Sequence, residues 1–424
     1  MKADSNKAVP ETKPDERRKG SETKADSKIV ALKTTPNERG KESDKKEGTV
    51  RKRSPEMKVT FNRAALSEAL GLLTSVVPSR TPKPILRCVQ ITAEEKAVRI
   101  CATDLEVGIN YLISEVQVEK TGEIIVPADR LAAIVRESVD DVLLLEASKG
   151  TCEIKGADSH FTIYGQEPGQ YPVVPGFDGD GDIKITLGNL QAGIDQSLFA
   201  TAKESSRYAI NGVLWEIKDK KLLLVATDGR RLARCRVNLS SAPAKNEPPG
   251  NIIVPAKAMG LLDKIGSSEK DSVIVKLVDN QIIISCANIV ISSNLVEGNF
   301  PKYEDIIPSD HDKKLTLSTD GALSAVRRAS LLTSEESRGI KLSIEKDKLV
   351  FSGRAPETGD AQVDMPIDYK GEAMEIGFNP QFLIDVLRVI KTPDFEFELG
   401  QPDRPGLIKS GTNFLYVLMP INLG

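Results

Sequence analysis

From Met57 onward the apolar and polar positions follow two periods that keep replacing each other. Stretches of period two, at 96–101, 107–118, 213–217 and 221–226, predict half-buried strands. So do 142–147, 151–155, 159–164, 272–278, 281–286 and 289–295. Between them, apolar residues recur at i, i+3, i+4 and i+7, the spacing of one helix face. The two kinds of stretch are themselves repeated. A strand running into a helix opens at Met57 (MKVTFNRAALSEALGLLTSVV), Ile183 (IKITLGNLQAGIDQSLFATA) and Lys314 (KLTLSTDGALSAVRRASLLT), the starts 126 and 131 residues apart. A strand end, a proline and an amphipathic helix recur at Ile124 (IIVPADRLAAIVRES), Ile252 (IIVPAKAMGLLDKIG) and Ile376 (IGFNPQFLIDVLRVI). Proline suits that place because the first helical N–H has no partner to lose. A third marker, ICATDLEVGI from Ile100 and LVATDGRRLA from Leu224, loosens to LVFSGRAPETGDAQV from Leu349.

Three markers in one phase predict an α+β chain of three similar domains, each with two helices and about six to eight strands. The expected limits are 57–182, 183–312 and 313–424, with Pro, Gly and Asp runs at 167–182 and 299–313 as linkers.

Residues 1–56 differ in kind. They carry 16 Lys+Arg against 11 Asp+Glu, no aromatic residue and no period, and read as a disordered charged extension. Arg51-Lys52-Arg53 and its neighbours suit a tether for nucleic acid, a solvated tail is the plainer reading, and a start of translation at Met57 would remove the segment altogether. With the whole chain at −3, the repeats carry −8. Yet their six predicted helices hold ten basic residues, among them Arg136, Lys203, Lys257 and Lys264, against seven acidic ones. If the helices share one face, that face is positive within an acidic body, which suits phosphate contacts that carry no sequence information.

No apolar run reaches the ~18 residues of a membrane span, and no apolar signal segment opens the chain. Five cysteines without a CxxC argue against a disulfide framework or a zinc site and fit a reducing cytosol. Two histidines leave little for acid–base or metal chemistry. Nucleotide-loop, nucleophile-elbow and zinc-protease motifs are missing. Asp178, Asp180 and Asp182 imitate the start of a calcium loop, but Ile183 and Asn189 stand where its glycine and glutamate belong, so an acidic turn is expected. Asp104 and Asp228 form a conceivable catalytic pair. Their recurrence at equivalent places points instead to a turn in which Asp bonds its own backbone.

From Met57 to its end the chain resembles the β subunit of bacterial DNA polymerase III, the sliding-clamp family. The likeness is carried by MKVTF at the start, TPKPIL at Thr81–Leu86, ATDLE at Ala102–Glu106, RYAINGVLWE at Arg207–Glu216 and ATDGRRLA at Ala226–Ala233. It continues with VEGNFPKYEDIIP at Val296–Pro308, GFNPQFLIDVL at Gly377–Leu387 and YVLMPINL at Tyr416–Leu423. The resemblance implies a non-catalytic scaffold without cofactor or metal: a head-to-tail homodimeric ring around double-stranded DNA that holds the replicative polymerase, the clamp loader and other replication or repair proteins by short peptides, in the bacterial cytoplasm. The implied peptide pocket comprises Ile210, Thr227, Gly229, Arg230, Arg231, Leu232, Pro301, Ile306, Asn379, Phe382, Val417, Met419, Pro420, Ile421 and Leu423. Leu232, Ile306, Val417 and Met419 would take an apolar anchor, while Thr227 and Arg231 would bond a peptide backbone. Arg80 matches a DNA-contacting loop, with Arg136, Lys203, Lys257 and Lys264 as further DNA-facing candidates from helix placement. Phe161, Leu331 and Leu332 are expected at the dimer interface. Asn422 and Phe382 depart from the arginine and tyrosine common at those places. A clamp paralogue specialised for repair or drug tolerance, and an enzyme built on Asp104 or Asp228, are the competing readings.

Overall fold

The computed structural model describes residues 56–166, 168–203, 209–218, 220–241, 250–333 and 339–422. The extension to residue 55 and the pocket candidate Leu423 lie outside them. The first repeat runs β1 (Met57–Asn62), α1 (Arg63–Leu73), β2 (Cys88–Ala93), β3 (Val98–Thr103), β4 (Val107–Ile113), β5 (Val116–Lys120), β6 (Gly122–Pro127), α2 (Ala128–Glu137), β7 (Val142–Ser148), β8 (Thr151–Lys155) and β9 (His160–Tyr164). The second runs β10 (Ile183–Thr186), α3 (Leu187–Asp195), β11 (Gly212–Lys218), β12 (Lys221–Thr227), β13 (Arg231–Asn238), β14 (Ile252–Pro255), α4 (Ala256–Leu262), β15 (Ser272–Val278), β16 (Gln281–Cys286) and β17 (Ile289–Asn294). The third runs β18 (Lys313–Ser318), α5 (Thr319–Ala329), β19 (Ile340–Glu345), β20 (Lys348–Ala355), β21 (Gly359–Pro366), β22 (Met374–Phe378), α6 (Pro380–Val389), β23 (Asp394–Leu399), β24 (Gly406–Ser410) and β25 (Phe414–Leu418).

The α+β class and the paired helices of each repeat are as the pattern predicts. Asn62, Thr186, Ser318 and Asn379 each accept a backbone N–H from the first turn of the following helix, satisfying a donor the helix leaves open. α2 and α4 follow Pro127 and Pro255. On α5, Ala322, Ala325, Val326 and Ala329 are buried while Arg327 and Arg328 are exposed, so the apolar stripe meets the sheets and the charges do not. One correction concerns 107–118, expected as a single strand. The chain turns at Ser114–Glu115, and β4 and β5 enter different sheets. The alternation passes through that turn without a glycine or proline to mark it, and it gives the first repeat nine strands.

Each repeat supplies two antiparallel half-sheets, four-stranded except for the five-stranded β5-β1-β7-β8-β9 of the first, and successive repeats fuse one from each. β4 pairs with β17, Ile109 opposite Ile291, to make the eight-stranded sheet β10-β15-β16-β17-β4-β3-β2-β6. β13 pairs with β25, Ala233 opposite Tyr416, to make β14-β11-β12-β13-β25-β24-β23-β18. Both seams join the third strand of a repeat's first meander to the third strand of the next repeat's second meander. Two strands of these classes remain at sheet edges: β9 ends the sheet β5-β1-β7-β8-β9, and β21 ends the sheet β21-β20-β19-β22.

The linkers are straps across the seam sheets. Gln166 N donates to Ile125 O at 2.8 Å, Val296 N to Ile253 O at 2.9 Å, and Ile421 N to Gly377 O at 2.9 Å, the same bond in all three repeats. Past the first two of these bonds lie Tyr171 and Tyr303, both buried on the sheet face opposite the helices. Tyr171 Oη donates to Cys88 O at 2.9 Å and Tyr303 Oη to Glu216 Oε2 at 2.6 Å. In the third repeat Lys341 and Glu375 form an exposed ion pair of 2.8 Å on the corresponding half-sheet.

Candidate docking site at the second seam

The Ala-Thr-Asp turns are built alike. Asp104 Oδ1 accepts the amides of Glu106 and Val107, and Asp228 Oδ1 those of Arg230 and Arg231. These carboxylates hold turns, as their recurrence implied. The residue after each Asp is left-handed: Leu105 at φ 82° and Gly229 at φ 86°. Glycine takes that conformation without the Cβ clash that leucine tolerates here.

From the second turn β13 delivers Arg231 and Leu232 to the seam with β25. Arg231 Nε lies 3.0 Å from Asp228 Oδ2, Nη1 2.7 Å from Asp385 Oδ2 of α6, and Nη2 donates to Phe199 O at 2.7 Å. The guanidinium also stacks 4.3 Å from the Phe382 ring centroid. Thr227 Oγ1 donates to Arg231 O and accepts Gly229 N. The hydrogen-bonding groups expected to meet a peptide backbone are thus engaged inside the protein: Arg231 locks the second repeat to the third, and Thr227 closes the turn of its own repeat. At the first seam Lys257, expected on the DNA side, takes the comparable part: its Nζ donates to Val76 O at 3.0 Å and pairs with Asp104. Lys264 Nζ lies 3.3 Å from Ser75 Oγ.

The apolar candidates converge. Leu232 pairs with Val417, both almost fully buried, within a cluster that includes Leu407, Leu415 and Tyr303. Met419 N donates to Arg230 O at 3.0 Å, which brings Met419 out beside the turn, 39% exposed. Ile306, 40% exposed, ends the 3-10 turn of the strap and lines one groove with Met419. Asn379 caps α6, Phe382 lies one turn on, and Pro420 and Ile421 line a second hollow beside Gly377. Ile210 and Pro301 sit at the strap's edge, next to Ala209, whose amide donates to Asn299 O at 3.3 Å.

Elsewhere, Arg80, Arg136 and Lys203 are exposed. Phe161, on the edge strand β9, is 38% exposed. Leu331 is 79% exposed on the turn Ser330–Leu332, and Leu332 lies beside Gly359 at the start of β21.

Three family models cover the repeats in order. They describe the N-terminal, central and C-terminal domains of the DNA polymerase III beta subunit and match 57–175, 184–302 and 304–422. The beta sliding clamp of Caulobacter vibrioides is 33% identical over 380 residues, 87% of this chain and 100% of the relative, and that of Pseudomonas putida 31% over 373 residues with the same coverage. The chain belongs to the DNA polymerase III β-subunit family. Among solved structures, the sliding clamp of Pseudomonas aeruginosa bound to griselimycin superposes with a TM-score of 0.79 at 30% identity, covering 87% of this chain and 100% of that one. The clamp of Bacillus subtilis gives 0.81 at 26% identity, covering 87% and 99%. Membership makes the chain a sliding clamp, a processivity factor and a non-catalytic polymerase subunit.

Within this clamp fold, sequence reasoning missed the residues that hold the seams. Asp385 shows only as a polar position one turn from Gln381, whose Nε2 donates to its Oδ1 at 2.6 Å. Phe199 acts through its carbonyl, which no motif reveals. The strap tyrosines did leave a signal, since QYPVVP and KYEDII occupy the same place in successive repeats.

Proposed function

We propose that two copies of this chain close head to tail into a ring of six domains that encircles duplex DNA without reading its sequence, and that the second seam docks peptides from the replicative polymerase, the clamp loader and other replication or repair proteins. Domain limits of 57–182, 183–312 and 313–424 serve this reading, and its setting is the bacterial cytoplasm, on the nucleoid.

One observation carries the ring. Every inner seam pairs the strand class of β4 and β13 with that of β17 and β25, and one strand of each class, β21 and β9, is left at an edge at opposite ends of the chain. An open edge is a template for pairing. A heterologous contact between these edges that closes after two subunits leaves none of them free. The ladders support one register. Ile109 and Ala233 stand opposite Ala102 and Ala226 within their own meanders, as Ala361 stands opposite Gly353. Ile291 and Tyr416 stand opposite Ile284 and Ile408, as Phe161 stands opposite Ile154. By the register of the second seam we set Ala361 opposite the partner's Phe161, with Leu331 and Leu332 beside the pair as apolar cover.

A topological link needs no tight grip, and a clamp that slides needs no deep minimum along the duplex. Exposed Arg80, Arg136 and Lys203, with Lys264, supply phosphate attraction that counterions exchange with. Lys257 is engaged at the first seam and contributes less. At the docking site, Met419 and Ile306 form the exposed apolar rim, with Leu232 and Val417 as its floor. Phe161→Asp combined with Leu331→Asp places charge in the apolar contact. Sedimentation should find wild type at twice the chain mass and the double variant as a folded monomer that no longer lengthens polymerase products. A double variant that stays dimeric contradicts the interface.

A further inference from the structure

The groove that Ile306 and Met419 share extends well past the apolar rim. It encloses about 910 Å³ between the strap that leads into the third repeat and the loop joining β23 to β24. Its lining changes character along its length: beyond the two apolar residues come Asp305, Asp310 and Asp403, all exposed. Asp305 and Asp403 have no ion-pair partner among the described residues, and Asp310 accepts only the Ser309 hydroxyl, at 3.0 Å. Asp312 is neutralised by Lys313 at 2.8 Å, and Arg404 is the sole cation that lines the groove among the described residues.

His311 adds an independent mark. Its side chain is 4% exposed on the groove wall, and Nε2 has no hydrogen-bond partner. Nδ1 lies 3.4 Å from Glu398 Oε2. Burial holds the imidazole below its ordinary pKa, so it is neutral, and a proton on Nδ1 facing the carboxylate leaves Nε2 with a free lone pair. Exposed carboxylates without a cation dominate the far half of the groove, and within its wall the buried Nε2 lacks a donor, which is costly. The complement is a cation rich in N–H groups.

We propose that this groove is a charge-reading extension of the docking site, which takes a lysine or arginine side chain flanking the apolar anchor of a partner peptide. The inference rests on the docking reading above. Through it the clamp ranks its partners: peptides with a basic flank outcompete those with the same anchor and a neutral flank.

The test uses the full chain and three fluorescent peptides that share a leucine–phenylalanine anchor. One ends at the anchor, and the others carry flanking arginines or citrullines, the neutral isostere, at either end. Fluorescence anisotropy at low salt should find the arginine peptide bound about fivefold more tightly than the citrulline peptide, the scale of two or three partly exposed ion pairs. In Asp310→Asn/Asp403→Asn that advantage should vanish while the anchor-only peptide binds as to wild type, which also reports that the variant is folded. Equal binding of the arginine and citrulline peptides to wild type, or an arginine advantage that persists in the variant, overturns the extension and leaves the docking site standing. Failure of the anchor-only peptide to bind wild type overturns both.

Discussion

At the scale of single residues, Arg231 concentrates more interactions than any motif suggested. Its guanidinium meets two carboxylates, a carbonyl and an aromatic face, from both repeats of the second seam. Arg231→Met strands Asp228 and Asp385 in a half-buried setting and is expected to lower stability by about 2–4 kcal/mol. Arg231→Lys keeps the charge but loses the fork and should recover only part of it, as denaturant titration can measure. Cysteine gives a second prediction. All five thiols are buried and unpaired, and burial pushes Cys101, Cys152 and Cys235 up to about 12 and Cys286 to about 11. A thiol raised in the folded state stays protonated where the unfolded chain ionises. Stability should therefore be flat below the ordinary thiol range near pH 9 and fall as pH rises from there towards 12. A replacement of these cysteines by alanine or serine, compared at pH 8 and 10.5, should show a smaller fall between the two. At pH 8 a thiol-reactive dye should label the native chain slowly and the unfolded chain at once.

At the scale of elements, the helices were legible because caps, prolines and the 3.6 period agree on them three times over. The docking set was legible only in part. The turn and the β25 end carry sequence marks, but the long-range bonds of Arg231 and Lys257 depend on which elements become neighbours, and chain order does not reveal that. The break at Ser114–Glu115 went unseen because alternation survives a two-residue turn. Pairing also yields the sharpest element-level prediction. Antiparallel partners place Cα atoms ~4.5–5.5 Å apart, within disulfide range. Phe161→Cys combined with Ala361→Cys should therefore cross-link two chains under mild oxidation into a species of twice the mass on a non-reducing gel. Phe161→Cys with Val363→Cys, two residues out of register, should cross-link far less. The reverse order contradicts the register.

At the scale of the whole molecule, three copies of one α+β unit are joined by continuous sheets and strapped across each seam, so the placement of successive repeats is set by repeated pairing rather than by flexible linkers. The chain keeps one strand of each seam class, β9 and β21, at a sheet edge near its two ends, and its predicted helices carry an excess of basic residues. Sequence alone reached this level through triplication and resemblance, whereas the identity of the open edges needed the sheet order. Closure around DNA is measured by retention on a nicked circle after loading, before and after the circle is cut once. The protein should stay on the circle through a high-salt wash and be lost promptly by sliding off the ends once the DNA is linear. Retention on the linear duplex equal to that on the circle would mean ordinary affinity and would contradict the ring.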